Sequence, residues 1–156
     1  RILSGLHVPG CRVLWVLKPE LASLLPPALP SWLRTVAWLP SPRPVLEHPN
    51  VRAFVSHCGI NSVYESIVAG TPVVGLPFYA DQRDMAVRVA DAGVGLWVEK
   101  STFTADQLRA AIRRVVSEPS YRETLPSLQA ACAPSGGMAR AVELIQQAGR
   151  TVEQAA

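Results

Sequence analysis

The sequence predicts an α/β fold in which a Rossmann-like parallel sheet carries helices on both faces. From residue 35 onward, short apolar runs alternate with segments of helical length, the order that a parallel sheet with helical crossovers requires. The runs are solidly apolar rather than alternating, as strands covered on both faces are. With 156 residues, 49% of them hydrophobic, the chain can bury the core of one domain, and we expect a single domain over residues 1–156.

The first 30 residues begin this pattern. Residues 1–6 are typical of the end of a helix, and the first strand is predicted at 12–17. In an alternating fold an earlier strand would precede it, so we expect the domain to be truncated at its N-terminus. A proline-rich stretch follows, which predicts a long surface loop because proline breaks helices and central strands. Its prolines are Pro19, Pro26, Pro27 and Pro30.

The remaining elements are four strands and several helices. Glycines end two of the helices, at positions that suit a left-handed C-terminal cap. The tail, 104–147, has apolar residues at helical spacing and predicts two or three helices. The strands are predicted at 35–38, 51–56, 72–76 and 94–99, and the capped helices at 61–69, before Gly70, and 81–92, before Gly93. The spaced apolar residues of the tail are Leu108, Ile112, Val115, Val116, Val142, Leu144 and Ile145.

Charge and cysteine content exclude several classes of protein. The net charge of +3 is mild and the basic residues are scattered, which gives nucleic-acid binding little support. No apolar run reaches 18 residues and no signal-peptide pattern is visible, so we expect no membrane segment. Cys11, Cys58 and Cys132 are odd in number and far apart, which predicts free thiols and a reducing, cytoplasmic location.

Polar candidates follow the predicted strands. Trp38 and His57 each come at a strand end, and Asp81 with Gln82 come a few residues after the strand at 72–76. Ligands of open parallel sheets bind outside the carboxyl ends of the strands. At His57 the chain turns directly into a helix, whose start offers unpaired N–H groups and partial positive charge. The sequence therefore predicts a site for a phosphate-bearing ligand.

The residues at these positions also match a known family. The segment WLPSPRPVLEHPNVRAFVSHCGINSVYESIVAGTPVVGLPFYADQ, residues 38–82, closely resembles the donor-binding signature of UDP-glycosyltransferases. These GT-B enzymes glycosylate small lipophilic acceptors, and looser similarity extends from VLWVLKP to DAGVGLWVEK. The resemblance implies the C-terminal half of an inverting hexosyltransferase. A UDP-sugar such as UDP-glucose would be its donor substrate, with no separate cofactor.

The resemblance assigns Trp38 to the base and His57 with Gly59 to the pyrophosphate. Trp38 would stack on uracil, although it could instead fill core space, as we expect of Trp15 and Trp97. His57 would donate a hydrogen bond to the pyrophosphate, and Gly59 would let the backbone approach it closely.

A metal site is the alternative at this turn. It would be built from His48, His57 and Cys58, but these residues lack the paired spacing of metal ligands. We therefore expect no metal.

The following helix would hold the α-phosphate and the ribose. The resemblance assigns Asn61 and Ser62 to the α-phosphate and Glu65 to the ribose hydroxyls, which a carboxylate can accept in pairs. The alternative for Ser62 and Glu65 is a capping box, in which both side chains bond the first N–H groups of their own helix.

Asp81 and Gln82 would hold the hydroxyls of the transferred sugar. Asp81 could instead be an ordinary N-cap of the helix at 81–92. Ser41 is a further ribose candidate, since it stands where plant members carry a ribose-contacting Gln. Ile60 stands where many plant members have Trp, which argues against a plant-type enzyme.

The resemblance places the catalytic residues elsewhere. Family members activate the acceptor hydroxyl with a His oriented by an Asp, both in an N-terminal domain. We therefore expect no catalytic residue in this chain, no turnover by the chain alone, and an acceptor-binding domain or partner subunit that completes the site. The chain could also be one subunit of a split transferase, a non-catalytic nucleotide-sugar-binding module or, as the least favoured option, a GT-B epimerase.

Overall fold

The computed structural model describes residues 1–133 and 136–155. Within them, all strand pairs are parallel, which confirms the predicted α/β class. One sheet pairs β1 (Val13–Val16) with β2 (Leu33–Val36), and the other has the order β3 (Phe54–Ser56), β4 (Val73–Gly75), β5 (Gly95–Trp97). The strands β1, β4 and β5 are the central residues of their predicted runs, and β3 is only the last three residues of 51–56. The prediction for β2 was wrong by two residues, because the strand is at 33–36 rather than 35–38.

Helices surround the sheets. In chain order they are α1 (Ile2–Leu6), α2 (Arg43–Leu46), α3 (Ile60–Ala69), α4 (Gln82–Asp91), α5 (Ala105–Ser117), α6 (Ser120–Glu123), α7 (Leu125–Cys132) and α8 (Gly137–Ala155). The short α2 was not predicted, because its sequence RPVL contains a proline; that proline lies in the first turn, where its missing N–H costs nothing.

The strand β4 shows why the fold needs helices on both faces. Val74 packs into a core with residues of α1 and α5, whereas its neighbour Val73 packs into a second core with residues of α3, α4 and α7. Successive side chains of a strand point to opposite faces, so a fully apolar strand demands two cores. The first core also contacts Val13 and Trp15 of β1, so the two sheets share it.

The strand β1 is an exception to the prediction that both faces are covered. Leu14 is 43% exposed and Val16 is 47% exposed, whereas Val13 and Trp15 face the shared core. A solid apolar run therefore does not by itself show that both faces of a strand are buried.

The proline-rich stretch lies on the surface as predicted, but it is not irregular throughout. Residues Pro19–Leu24 form a 3₁₀ helix that is exposed along its whole length. Pro19 stands at its start, where a residue without an N–H and with a fixed φ is well suited.

The predicted helix ends at Gly70 and Gly93 are confirmed. Gly70 has φ 71° directly after α3, and Gly93 has φ 69° two residues after α4. Both glycines adopt the left-handed conformation that a side chain disfavours, and their N–H groups bond back to carbonyls of the preceding helix.

The described residues of the tail form four helices, α5 to α8, rather than the predicted two or three. Pro119 and Pro126 lie at the starts of α6 and α7, where a proline is tolerated, and they separate these short helices from α5 and from each other. Leu108, Ile112 and Val115 of α5 are buried as expected.

The apolar residues of α8 are exposed. Ile145 is 72% exposed, and Val142 and Leu144 are about half exposed, so they do not belong to either core. The structure confirms the helix that their spacing predicts, but spacing alone does not determine what a helix face packs against. No helix in the described part of the chain is both long and apolar enough to cross a membrane.

Candidate functional site

The carboxyl ends of β3, β4 and β5 meet at one edge of their sheet, because the strands are parallel and adjacent. His57 follows β3 directly, and Asp81 precedes α4 after the loop that leaves β4. Trp38 lies two residues beyond β2 in the other sheet. Its segment continues into α2, which packs against α3. Thr71, just before β4, bonds to the end of α2, since its hydroxyl donates to the carbonyl of Leu46 at 2.7 Å.

The side chain of His57 lies over the start of α3. A Cβ built on Gly59 would stand 2.5 Å from Nε2 of His57, so no other residue fits at this position without moving the imidazole. The structure thus gives Gly59 a steric reason to be glycine, because its φ of −61° is ordinary. The exposed imidazole lies beside the N-terminus of α3.

The first turn of α3 has no side-chain cap. Gly59 is its N-cap residue and lacks a side chain that could accept from the helix N–H groups. Asn61, on the exposed surface, and Ser62, which is half-buried, occupy the second and third helical positions. A helix start with free N–H groups and a partial positive charge is suited to bind an anion.

The capping-box alternative for Ser62 and Glu65 is wrong. The helix begins at Ile60, so Ser62 lies inside the first turn and cannot be the N-cap residue. Glu65, one turn on, is half-buried, and no described residue bonds its carboxylate. A box does form elsewhere, where Thr104 Oγ1 accepts from Gln107 N–H and Gln107 Oε1 accepts from Thr104 N–H.

The indole of Trp38 is 71% exposed, which removes the alternative that it fills the core. Trp15 and Trp97, by contrast, pack against the two cores, as expected. Ser41 has a local role, because its Oγ accepts the N–H of Arg43 at 3.3 Å at the start of α2. A single N–H uses only part of the hydroxyl's capacity, so Ser41 can also contact a ligand.

Asp81 and Gln82 differ in the hydrogen-bonding groups that they can offer to a ligand. Asp81 occupies the N-cap position of α4, as the alternative interpretation of this residue had it, but its exposed carboxylate makes no capping hydrogen bond. Gln82 is buried, and its Oε1 accepts the N–H groups of Phe78 at 2.9 Å and Tyr79 at 3.3 Å. Because those bonds use both lone pairs of Oε1, Gln82 can contact a sugar only as a donor through Nε2.

Among the described residues, no group of three or more His, Cys, Asp or Glu side chains is placed to hold a metal ion, which argues against the alternative built from His48, His57 and Cys58. Cys58 is fully buried, and burial raises the pKa of its thiol to about 11, so the thiol stays protonated at neutral pH. Its backbone N–H donates to Ser56 Oγ at 3.1 Å, and its φ of 63° turns the chain from β3 toward α3. Cys58 therefore shapes the turn between β3 and α3.

Comparison with known proteins decides the family. Residues 1–139 match the model of the family described as UDP-glucoronosyl and UDP-glucosyl transferase. The chain belongs to this family. The match covers every candidate site residue, from Trp38 to Gln82.

Curated members of this family include close relatives. Mouse UDP-glucuronosyltransferase 2A2 is 39% identical over 122 residues, which cover 78% of this chain and 22% of the relative. Rat 2-hydroxyacylsphingosine 1-beta-galactosyltransferase is 36% identical over 117 residues, covering 75% of this chain and 21% of the relative. The chain thus spans about a fifth of the length of these relatives.

Solved glycosyltransferases share the fold. The glycotransferase of kitacinnamycin superposes with a TM-score of 0.80 at 28% identity, over 94% of this chain and 37% of that one. Os79 from O. sativa in complex with UDP gives a TM-score of 0.74 at 29% identity, over 82% of this chain and 31% of that one. This chain therefore has the Rossmann-like α/β fold of the matching part of these GT-B glycosyltransferases.

The sequence did not predict a cleft at the ends of β4 and β5 of this family member. A cleft of about 330 Å³ opens where the chain leaves β4 and β5. The sequence signal that could have indicated this cleft is the pair of aromatic residues Phe78 and Tyr79, which follow an apolar strand closely. Both are exposed in the structure. The cleft is lined by Pro77, Phe78, Tyr79, Ala80, Arg83, Glu99 and Lys100.

Proposed function

We propose that this chain is the donor-binding part of an inverting glycosyltransferase. It would transfer a sugar from a UDP-sugar to a hydroxyl of a small lipophilic acceptor. The observation that carries the proposal is the imidazole of His57 placed over the uncapped start of α3 by the close approach at Gly59. Backbone N–H groups and an imidazole N–H converge there, which suits the two phosphates of UDP.

The rest of the donor is bound by side chains that flank this point. The exposed indole of Trp38 offers a face for uracil. The carboxylate of Glu65, which bonds to none of the described residues, lies one turn along α3 and suits the two ribose hydroxyls, and Asn61 and Ser62 suit the α-phosphate. Asp81 accepts from the sugar hydroxyls, and Gln82 donates to them. Ser41 is a further candidate for the ribose.

The proposed reaction makes one bond and breaks one. The acceptor oxygen bonds to the anomeric carbon of the sugar, and the bond from that carbon to the β-phosphate oxygen breaks, which inverts the anomeric configuration. The acceptor proton passes to a base on an acceptor-binding domain or partner subunit. This chain stabilises the charge that develops on the departing UDP, through the α3 N–H groups and His57.

The curated relatives support this chemistry. The names of the mouse and rat relatives describe glucuronosyl and galactosyl transfer, and the rice protein is solved with UDP bound. A cytoplasmic location stays part of the proposal, supported by the free thiols of Cys11, Cys58 and Cys132.

The test compares two ligands that differ only in their phosphates. Calorimetry on the purified chain should show UDP binding at least tenfold more tightly than uridine, because charge-assisted hydrogen bonds are worth about 1.5–3 kcal/mol. His57→Ala should remove much of that difference. Equal affinities for UDP and uridine would remove the phosphate site from the proposal.

A turnover assay tests where the base lies. The chain alone, incubated with UDP-glucose and phenolic or sterol acceptors, should form no glycoside detectable by mass spectrometry. A base commonly contributes ~10²–10⁴-fold, so its absence should abolish measurable transfer. If turnover exceeds that of a His57→Ala, Asp81→Ala double variant, the base is in this chain and our assignment is wrong.

A further inference from the structure

The turn that carries His57 is closed by the side chain of the residue before it. Ser56 Oγ accepts the N–H of Cys58 at 3.1 Å, so this hydrogen bond spans His57. A serine hydroxyl that bonds a backbone N–H two residues on mimics a backbone turn. The ring that the bond closes contains φ and ψ of His57, the two soft dihedrals of its main chain. The bond therefore restricts the direction in which the imidazole leaves the chain.

Packing holds both partners of this hydrogen bond. Ser56 ends β3, where it pairs with Gly75 of β4, and its carbonyl accepts the N–H of Leu76 at 2.7 Å. Ser56 is only 4% exposed, and Cys58 is fully buried. A Cβ built on Gly75 would stand 2.7 Å from Sγ of Cys58, so the glycine leaves the room that the thiol occupies. The hydroxyl and the N–H thus meet between two residues that cannot move freely.

The imidazole of His57 depends on this turn for its position. Its side chain is exposed and makes no hydrogen bond to any residue that the structure describes. Its place over the start of α3 is therefore set by the backbone, and Gly59 leaves the space for it. Fixing a residue's backbone costs conformational entropy, and a turn that is already closed in the free protein spares the binding reaction that cost.

We propose that Ser56 is a positioning residue: its buried hydroxyl closes the turn at His57, so that the imidazole lies at the start of α3 before UDP binds. This inference rests on the proposed function, which places the phosphates of UDP at this point. Ser56 does not contact the ligand, because its side chain is buried and its hydroxyl bonds Cys58. It acts through His57 alone.

The ratio of UDP affinity to uridine affinity measures this role. The two ligands share base and ribose, so the ratio reports on the phosphates only. By calorimetry, Ser56→Ala should lower the ratio about three- to tenfold and leave uridine affinity unchanged, because the freed His57 must be ordered when the phosphates bind. In a His57→Ala background the same change should leave the ratio as it is, since no imidazole remains to be positioned.

Ser66→Ala is the matched control. Ser66 is also a buried serine, and its hydroxyl donates to the carbonyl of Thr71 at 2.6 Å, but it lies in the last turn of α3. Ser56→Ala and Ser66→Ala should both lower the melting temperature, because each loses one buried hydrogen bond. Only Ser56→Ala should change the ratio of affinities.

NMR of the free chain gives a second measurement, which needs no ligand. The natural chain should show a nuclear Overhauser contact between the ring of His57 and the α-protons of Gly59, which their close approach requires. Ser56→Ala should weaken this contact, and Ser66→Ala should leave it unchanged. If the contact is absent from the natural chain, the inference is overturned without any variant.

The outcomes separate this inference from the function on which it rests. If the natural chain binds UDP and uridine equally, the proposed phosphate site fails, and the role of Ser56 fails with it. If UDP is preferred but Ser56→Ala keeps both the preference and the NMR contact, only the inference is wrong. An equal loss in the His57→Ala background, or in Ser66→Ala, also overturns it, because the hydroxyl would then act without the imidazole or only through general stability.

Discussion

A Cβ on Gly59 would stand 2.5 Å from Nε2 of His57, so the glycine and the orientation of the imidazole depend on each other. His57 directly follows β3 and Gly59 is the N-cap residue of α3, and their close approach holds the imidazole beside the start of this helix, which has no side-chain cap. The position of the imidazole is therefore set by His57, by Gly59 and by the single turn of backbone between them, without any ligand.

This relationship predicts the effect of Gly59→Ala. The added methyl should displace the imidazole and weaken UDP binding by about 1–3 kcal/mol, since a charge-assisted hydrogen bond is lost. Calorimetry checks the affinity. In a His57→Ala background the same change has no ring to displace, so it should cost little; equal losses in both backgrounds would contradict the steric explanation.

Trp38→Ala should weaken UDP binding by about 1–3 kcal/mol through lost stacking. Because Trp38 is exposed, its removal should leave the melting temperature nearly unchanged. Trp15→Ala is the matched comparison, since Trp15 packs against the shared core and its loss should lower the melting temperature. Unchanged UDP affinity in a folded Trp38→Ala variant would remove the stacking role.

Glu65→Gln should lower UDP affinity while leaving the melting temperature unchanged, because Glu65 takes no part in capping α3. Thr104→Ala is the counterpart: it breaks the capping box of α5 and should cost about 1 kcal/mol of stability with no effect on UDP binding. Calorimetry and thermal melts together separate the two. A drop in melting temperature for Glu65→Gln without lost affinity would return Glu65 to a structural role.

The buried thiol of Cys58 predicts a pH dependence of stability. Burial raises its pKa from 9.0 to about 11, so the folded state keeps a proton that the unfolded state releases. The stabilisation is complete below about pH 9 and is lost as the pH rises toward 11. Denaturant titrations should show the unfolding free energy falling more steeply over this pH range in the natural chain than in Cys58→Ala. If the free energy of both proteins falls with pH at the same rate, the Cys58 thiol does not contribute to the pH dependence.

Several features of the fold and the site could be predicted from local sequence. Gly70 and Gly93 end their helices because the left-handed cap is a property of one residue and the turn before it. The positions of His57 and Asp81 after β3 and β4 could be predicted, because a strand covered on both faces has an apolar run that marks where it ends. The sequence could not show that the apolar face of α5 is buried and that of α8 exposed, because both helices have apolar residues at helical spacing.

By itself, the sequence determined the α/β class, the family match and the positions at which ligand-binding side chains follow the strands. Only the tertiary structure decided that Ser62 lies inside α3, that Gln82 turns its carbonyl inward to Phe78, and that Lys100 lies over the same loop. Local signals depend on neighbours in the chain, whereas these contacts depend on where a helix begins and how β4 and β5 are registered. Residues 22 positions apart, such as Phe78 and Lys100, meet only because two parallel strands bring them to one edge.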